Sequence, residues 1–203
     1  MNPQIWWYLA RATGMVAWVL LVASVVWGVL LATRVLKPAD RPAWLLVMHR
    51  WLAALAVTCT GLHLVALAAD SYVHFGWTEM FVPGASPWKT TAGGVGVVAF
   101  WLLVIVQVSS LLMRRLSRTV WRRIHYLSYA MVWAVSVHAG LAGTDVSNRV
   151  YQFVALLLTI TAVSAAMVRV LTPLRAGGAA ARSAQPRRSA PAEPEEAVAG
   201  TAR

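Results

Sequence analysis

Five long apolar runs constrain this chain more than any other feature of its sequence. They fall at roughly Gly14–Thr33, Ala43–Ala69, Thr91–Met113, Val120–Ala142 and Val150–Val170. Each is long enough to cross a hydrocarbon core of about 30 Å as an α-helix, the form in which a lone segment satisfies its own backbone in lipid. A soluble core would show apolar residues recurring on one face rather than in unbroken runs. Composition agrees: 59% of the residues are hydrophobic and 12% charged, against about 25% charged in soluble domains. Several of the eleven Trp residues, among them Trp6, Trp7, Trp44, Trp77, Trp88 and Trp121, edge the runs, where amphipathic rings favour the headgroup layer. The expected fold is all-α, a polytopic bundle of five transmembrane helices.

A net charge of +11 would suit nucleic acid if it lay on a soluble face. Here the basic residues flank apolar runs or lie in the tail, so they read as a topology signal and a contact with membrane lipid. Arg34, Lys37 and Arg41 follow the first run, Arg114, Arg115, Arg118, Arg122 and Arg123 the third, and Arg175, Arg182, Arg187 and Arg188 the fifth. The other loops carry only Lys89 against Asp70 and Glu79, and Arg149 against Asp145. Basic loops stay cytoplasmic, which puts the N-terminus outside and the C-terminus inside, as five crossings require. Residues 1–172 are expected to form the membrane domain. Residues 173–203, rich in Ala, Pro, Gly, Ser and Arg with an acidic cluster at Glu193, Glu195 and Glu196, cannot bury enough apolar area to order and are expected to be a disordered cytoplasmic tail. The single Cys59 excludes an intrachain disulfide. With no cationic leader or small-residue cleavage site at the start, no cleaved signal peptide is expected.

Four of the five histidines lie inside the runs: His49 and His63 in the second, His125 and His138 in the fourth. Ionisable side chains at membrane depth are costly and mark function by default; for one such histidine, a hydrogen-bonded packing role is the competing reading. Two pairs weaken that alternative. The second and fourth runs are separated by one crossing and so run parallel, with His49 and His125 near the inner end and His63 and His138 near the outer end. At about 1.5 Å per residue the two levels stand roughly 20 Å apart. Paired histidines at two depths are what two six-coordinate haem irons need.

The helical phase poses a problem. Fourteen residues return a side chain to within about 40° of the same face, but the thirteen from His125 to His138 leave it about 140° away. The fourth run is therefore expected to be distorted between them, or its histidines approach from different sides. Gly93, Gly94 and Gly96 open the third run and favour close helix contact; with no preceding strand, they do not read as a phosphate loop.

The pattern His49-x13-His63 and His125-x12-His138 two runs later resembles the ferric reductase transmembrane domain. That superfamily includes ferric reductases, NADPH oxidases and the haem subunit of periplasmic methionine sulfoxide reductase. Arg11-Ala-Thr-Gly14, His49-Arg50-Trp51, Trp121-Arg-Arg-Ile-His125 and Gly143-Thr-Asp145 add to a likeness that covers roughly residues 11–170. The resemblance implies two haem b groups, non-covalent because no Cys-x-x-Cys-His site exists. His49 and His125 would ligate the inner iron, His63 and His138 the outer. It also implies a multi-pass protein of a bacterial cytoplasmic membrane. Larger members continue into a flavin and nicotinamide domain; the tail has no Gly-rich strand–turn–helix pattern for either cofactor, so this chain resembles the haem subunit alone.

Haem propionates favour Arg partners. Arg50, Arg122 and Arg123 flank the inner histidines and fit that role or a cytoplasmic topology edge; Arg11 enters the outer end and is a candidate for the outer propionates. His74, in an outer loop, reads as a solvated residue or an entry point for protons or metal. Trp101, Trp133, Tyr126 and Tyr129 fit either haem faces or helix and lipid packing. Two axial histidines leave no open iron position, which favours electron transfer over oxygen chemistry. The expected function is the haem subunit of a reductase system, with electrons exchanged with a flavoprotein or quinol partner. The alternatives are a self-sufficient ferric-chelate reductase, a non-catalytic haem-bearing anchor for a flavoprotein, and a haem-free transporter that moves protons on its histidines.

Overall fold

The computed structural model describes residues 4–37, 39, 41–71 and 75–183, with side chains as far as residue 172. Seven helices follow in order: α1 Ile5–Thr33, α2 Pro42–Ala69, α3 Trp77–Phe81, α4 Thr90–Leu111, α5 Arg118–His125, α6 Leu127–Ala142 and α7 Arg149–Ser183. No strand occurs among the described residues. Among the described residues four helical stretches are long and apolar enough to cross a membrane: Ile5–Thr33, Pro42–Ala69, Thr90–Leu111 and Arg149–Thr172. The protein is an all-α polytopic membrane helix bundle.

The first helix starts at Ile5 rather than at Gly14, because the aromatic residues before the apolar run are helical too, and this takes Arg11 well inside α1. Arg34 adopts a left-handed conformation, φ 52°, and closes the helix with its N–H on the Leu30 carbonyl. Pro42 opens α2 after an extended Arg41, a position where its missing N–H costs nothing. Residues 120–142, expected as one span, instead form two helices that meet at Tyr126. Ser117 caps α5 by accepting from the Val120 N–H, and the Tyr129 N–H reaches back only three residues to the Tyr126 carbonyl at the joint. The last helix continues past Pro173 to Ser183; residues 184–203 lie outside the described residues, as does His74.

Helix α1 is the hub. Trp18, Leu21, Val22, Val25 and Val29, one face at helical spacing, form the core with Ala56 of α2, Leu103 of α4, Met131 and Val132 of α6 and Ala165 of α7. Across its apolar stretch 39% of α1 is buried, against 6% of α7, so α7 is peripheral. Its exposed Phe153, Leu157, Ile160, Val163 and Val170 belong against lipid, where an apolar surface carries no cost. The Trp18 indole donates to the Ser136 hydroxyl at 3.0 Å, joining α1 to α6. Lys89 donates to the Leu141 and Ala142 carbonyls at 3.3 and 3.2 Å, a cation on the negative end of α6.

Candidate functional site

The four membrane-run histidines meet across the bundle in two pairs. At one level, His63 of α2 and His138 of α6 line a single apolar cavity near the start of α1. At the other, the rings of His49 and His125 lie 6.1 Å apart between centroids, at 72° to each other. The parallel run of α2 and α5–α6 produces this match in depth.

Each ring is held from behind by a neighbouring helix. His63 Nδ1 lies 2.7 Å from the Ala10 carbonyl, His49 Nδ1 2.9 Å from the Ser24 carbonyl, and His138 Nδ1 2.8 Å from the Ala92 carbonyl. A carbonyl only accepts, so Nδ1 carries the proton in all three and Nε2 is left with its lone pair. A hydrogen bond from Nδ1–H to a carbonyl orients a metal-ligating imidazole and raises its basicity.

A small residue makes room for each ring four positions after the accepting carbonyl. A Cβ on Gly14 would meet His63 Nδ1 at 3.0 Å, one on Gly28 would meet His49 Cε1 at 3.3 Å, and one on Gly96 would meet His138 Nδ1 at 2.6 Å. Helix α1 thus serves both histidines of α2, and α4 both of α5–α6. The fourth position departs from the rule. Ser110 stands where a glycine would be, its hydroxyl donates to the Val106 carbonyl at 2.8 Å, and His125 Nδ1 lies 3.4 Å from that hydroxyl.

The joint at Tyr126 accounts for the thirteen-residue spacing. On one continuous helix His125 and His138 would point about 140° apart, yet both turn Nδ1 towards α4. Splitting the segment frees α5 from the phase of α6. Arg169 of α7 donates to the Tyr126 hydroxyl at 2.7 Å and lies over its ring, bracing the joint.

The remaining candidates have mixed fates. Arg11 is ion-paired with Asp145, both part-buried, in the wall of the cavity that His63 and His138 line. Arg50, Arg122 and Arg123 are exposed. Trp101 donates to the Phe81 carbonyl at 2.9 Å and packs on Phe81 and Phe100, Trp133 faces outward at 66% exposure, and Tyr126 stacks on Tyr129. These aromatics serve packing. Two further side chains stand out: among the described residues the buried indole nitrogens of Trp27, which the sequence did not single out, and of Trp121, read from the sequence only as a run edge and part of a motif, have no hydrogen-bond partner. Trp27 precedes Gly28, and Trp121 stacks on His125 at 5.0 Å. Single tryptophans among eleven give no sequence signal of this kind. The glycines did carry one, since Gly14 and Gly28 repeat the fourteen-residue spacing of His49 and His63.

The residues fit haem better than a bare metal ion. Among the described residues no group of three or more His, Cys, Asp or Glu is placed to hold an ion, whereas a macrocycle brings its own equatorial ligands and needs two axial ones. Two imidazoles on one iron have ring centres about 6.5 Å apart, given metal–nitrogen bonds of about 2.0–2.1 Å; His49 and His125 stand at 6.1 Å. The two unpartnered indole N–H groups lie beside that pair, Trp121 stacked on His125 and Trp27 next to the glycine behind His49.

Residues 13–136 match the family described as ferric reductase like transmembrane component. No curated protein and no solved structure matches the chain. The match spans more than half of the chain and takes in three of the four paired histidines, so this protein belongs to the ferric-reductase-like transmembrane family and is an electron-transfer membrane protein of that kind.

Proposed function

We propose that this chain is the di-haem b subunit of a reductase system, carrying electrons across a bacterial cytoplasmic membrane between a flavoprotein or quinol donor and an acceptor on the other face. One observation carries the reading: four histidines form two cross-helix pairs, three of them with Nδ1–H on a neighbouring helix's carbonyl and Nε2 left free. Bound at these levels, haem would supply a one-electron couple without an open coordination position. His49 and His125 ligate at the inner level, His63 and His138 at the outer.

The protein's own part is to hold and insulate. Each Nδ1 anchor fixes the tautomer and the ring orientation, so the ligand set stays the same in both oxidation states. Glycines behind the rings let helices close to within contact of them, and the apolar bundle excludes water. Arg11, paired with Asp145, lines the His63/His138 cavity, and the indoles of Trp27 and Trp121 lie at the His49/His125 level. Arg50, Arg122 and Arg123 form the basic inner edge. In this reading α5 and α6 together make the fifth crossing, the N-terminus is outside, and residues 173–203 are a cytoplasmic tail whose first part, to Ser183, continues α7. Three of the four rings have Nδ1 committed to a carbonyl, which removes a proton relay through both nitrogens of those rings and leaves Nε2 as the one free to ligate.

The test is cofactor load. The full chain, purified in detergent, should give two haems per chain in a pyridine haemochrome assay, with a low-spin bis-imidazole spectrum and release on denaturation. No haem would end the proposal, and one haem would leave a pair unexplained. Reduction by quinol or by a flavoprotein then separates a subunit from a self-sufficient ferric-chelate reductase, which would pass electrons to a ferric chelate with no partner present.

A further inference from the structure

We propose that Ser110 is a positioning residue that makes His125 the weakest-anchored of the four ligands and biases the His49/His125 haem towards its reduced state. The inference rests on the di-haem reading above and concerns one residue that breaks an otherwise regular pattern. Three histidines donate directly to a backbone carbonyl that lies four residues before a glycine: Ala10 before Gly14, Ser24 before Gly28, Ala92 before Gly96. At the fourth position the equivalent pair is Val106 and Ser110. There the Ser110 hydroxyl donates to the Val106 carbonyl at 2.8 Å, beside the buried Ser109 hydroxyl, which donates to the same oxygen at 2.9 Å. The single hydroxyl hydrogen of Ser110 is thereby spent, and only its oxygen is left to accept from His125 Nδ1 at 3.4 Å, the far edge of a hydrogen bond.

Anchoring strength matters electronically. An imidazole whose Nδ1–H donates to a strong acceptor is the more basic ligand, and a more basic ligand favours the ferric ion. His125, held by a distant hydroxyl oxygen, gains least from this effect. Steric room follows the same logic: the Ser110 Cβ occupies the space that glycine leaves open elsewhere, so the ring is kept from the carbonyl by both its volume and its hydrogen bond. Ser110 therefore raises the potential of the haem at its own level and leaves the other untouched.

The experiment is a spectroelectrochemical titration of the full haem-loaded chain in detergent, comparing the unaltered protein with Ser110→Gly, Ser110→Ala and Ser110→Thr. The His63→Ala chain identifies the wave, because it should keep only the His49/His125 haem. Ser110→Gly removes the Cβ and one of the two hydroxyls on the Val106 carbonyl, which opens that oxygen to His125 Nδ1, so that wave should move negative. Ser110→Ala keeps the Cβ and removes the acceptor, so the same wave should move positive. Ser110→Thr retains the hydroxyl and should titrate as the unaltered protein does. Immobile waves, a common direction for the Gly and Ala variants, or movement of the wave lost in His63→Ala would each overturn the assignment. So would loss of this haem in Ser110→Gly, since glycine is what the other three sites use. Haem content of the unaltered chain judges the di-haem reading separately: no haem at the His49/His125 level sinks both, while two haems with an indifferent Ser110 sink only this one.

Discussion

The α1–α2 pair and the α4 to α6 region perform the same task, each holding two histidines against an antiparallel neighbour, and they do it by different means. In the first, two continuous helices suffice. His49 and His63 are fourteen residues apart, Gly14 and Gly28 are fourteen apart, and two backbone carbonyls do the anchoring. In the second, Gly96 and Ser110 keep the fourteen-residue period, but His125 and His138 are thirteen apart, and the helix that carries them is broken at Tyr126. Fourteen residues nearly complete whole turns of an α-helix and thirteen do not. A single missing residue thus converts a straight helix into two, and the histidine next to the break has the poorest anchor of the four. The difference teaches that the shared requirement is a ring with one nitrogen committed to a neighbouring helix, and that helix continuity is optional.

Removing a ligand should have the strongest effect and would show whether the two regions act independently. His63→Ala should halve the haem content in a pyridine haemochrome assay, with the surviving spectrum that of the His49/His125 pair. Loss of both haems would mean the two levels fold as one unit. A finer cut uses the glycines. An added methyl would lie 2.6 Å from His138 at Gly96, 3.0 Å from His63 at Gly14 and 3.3 Å from His49 at Gly28. Alanine also gains roughly 1 kcal/mol over glycine in a helix interior. Haem retention should therefore fall most for Gly96→Ala and less for Gly14→Ala, while Gly28→Ala stays close to the unaltered chain because small ring shifts are offset by propensity. Equal retention in all three would show that the rings are free to move and that the glycines serve only helix packing.

Smaller effects separate the two levels. Trp121→Phe removes a buried N–H that no protein atom accepts, and such an orphan costs about 1–3 kcal/mol. The haem-free chain should melt no lower than the unaltered one, while the haem-loaded chain releases its His49/His125 haem faster in a transfer assay to apomyoglobin. If release is unchanged, the indole is not a partner of the cofactor. Smallest of all should be removal of residues 173–203, which is expected to leave haem per chain in membranes unaltered. Selective loss of the His49/His125 haem on truncation would mean that the C-terminal segment covers that level, and the division of the chain near Thr172 would fail.

Much of this was legible in the sequence, and the gaps have a common cause. Apolar runs announced four of the helices, and the arithmetic of thirteen residues foretold a distortion between His125 and His138. Its place, and the pairing of Arg11 with Asp145, were not readable, because both depend on which helix faces which. Arg50, Arg122 and Arg123 were candidates by proximity along the chain, and the structure adds that they are exposed; adjacency in sequence on a helix says little about direction, since successive residues point about 100° apart.

The sequence was enough to fix the membrane class, the helical form and the spacing of the histidines along their helices, since in lipid a long apolar run can only be a helix and a helix advances a fixed distance per residue. Tertiary structure alone decided what each Nδ1 touches, why a glycine stands behind three rings and a serine behind the fourth, and which indoles lack an acceptor. Those are contacts between helices distant in the chain, as between Ala10 and His63. Only the packing of one helix surface against another brings the donor and the acceptor to within 3 Å of each other.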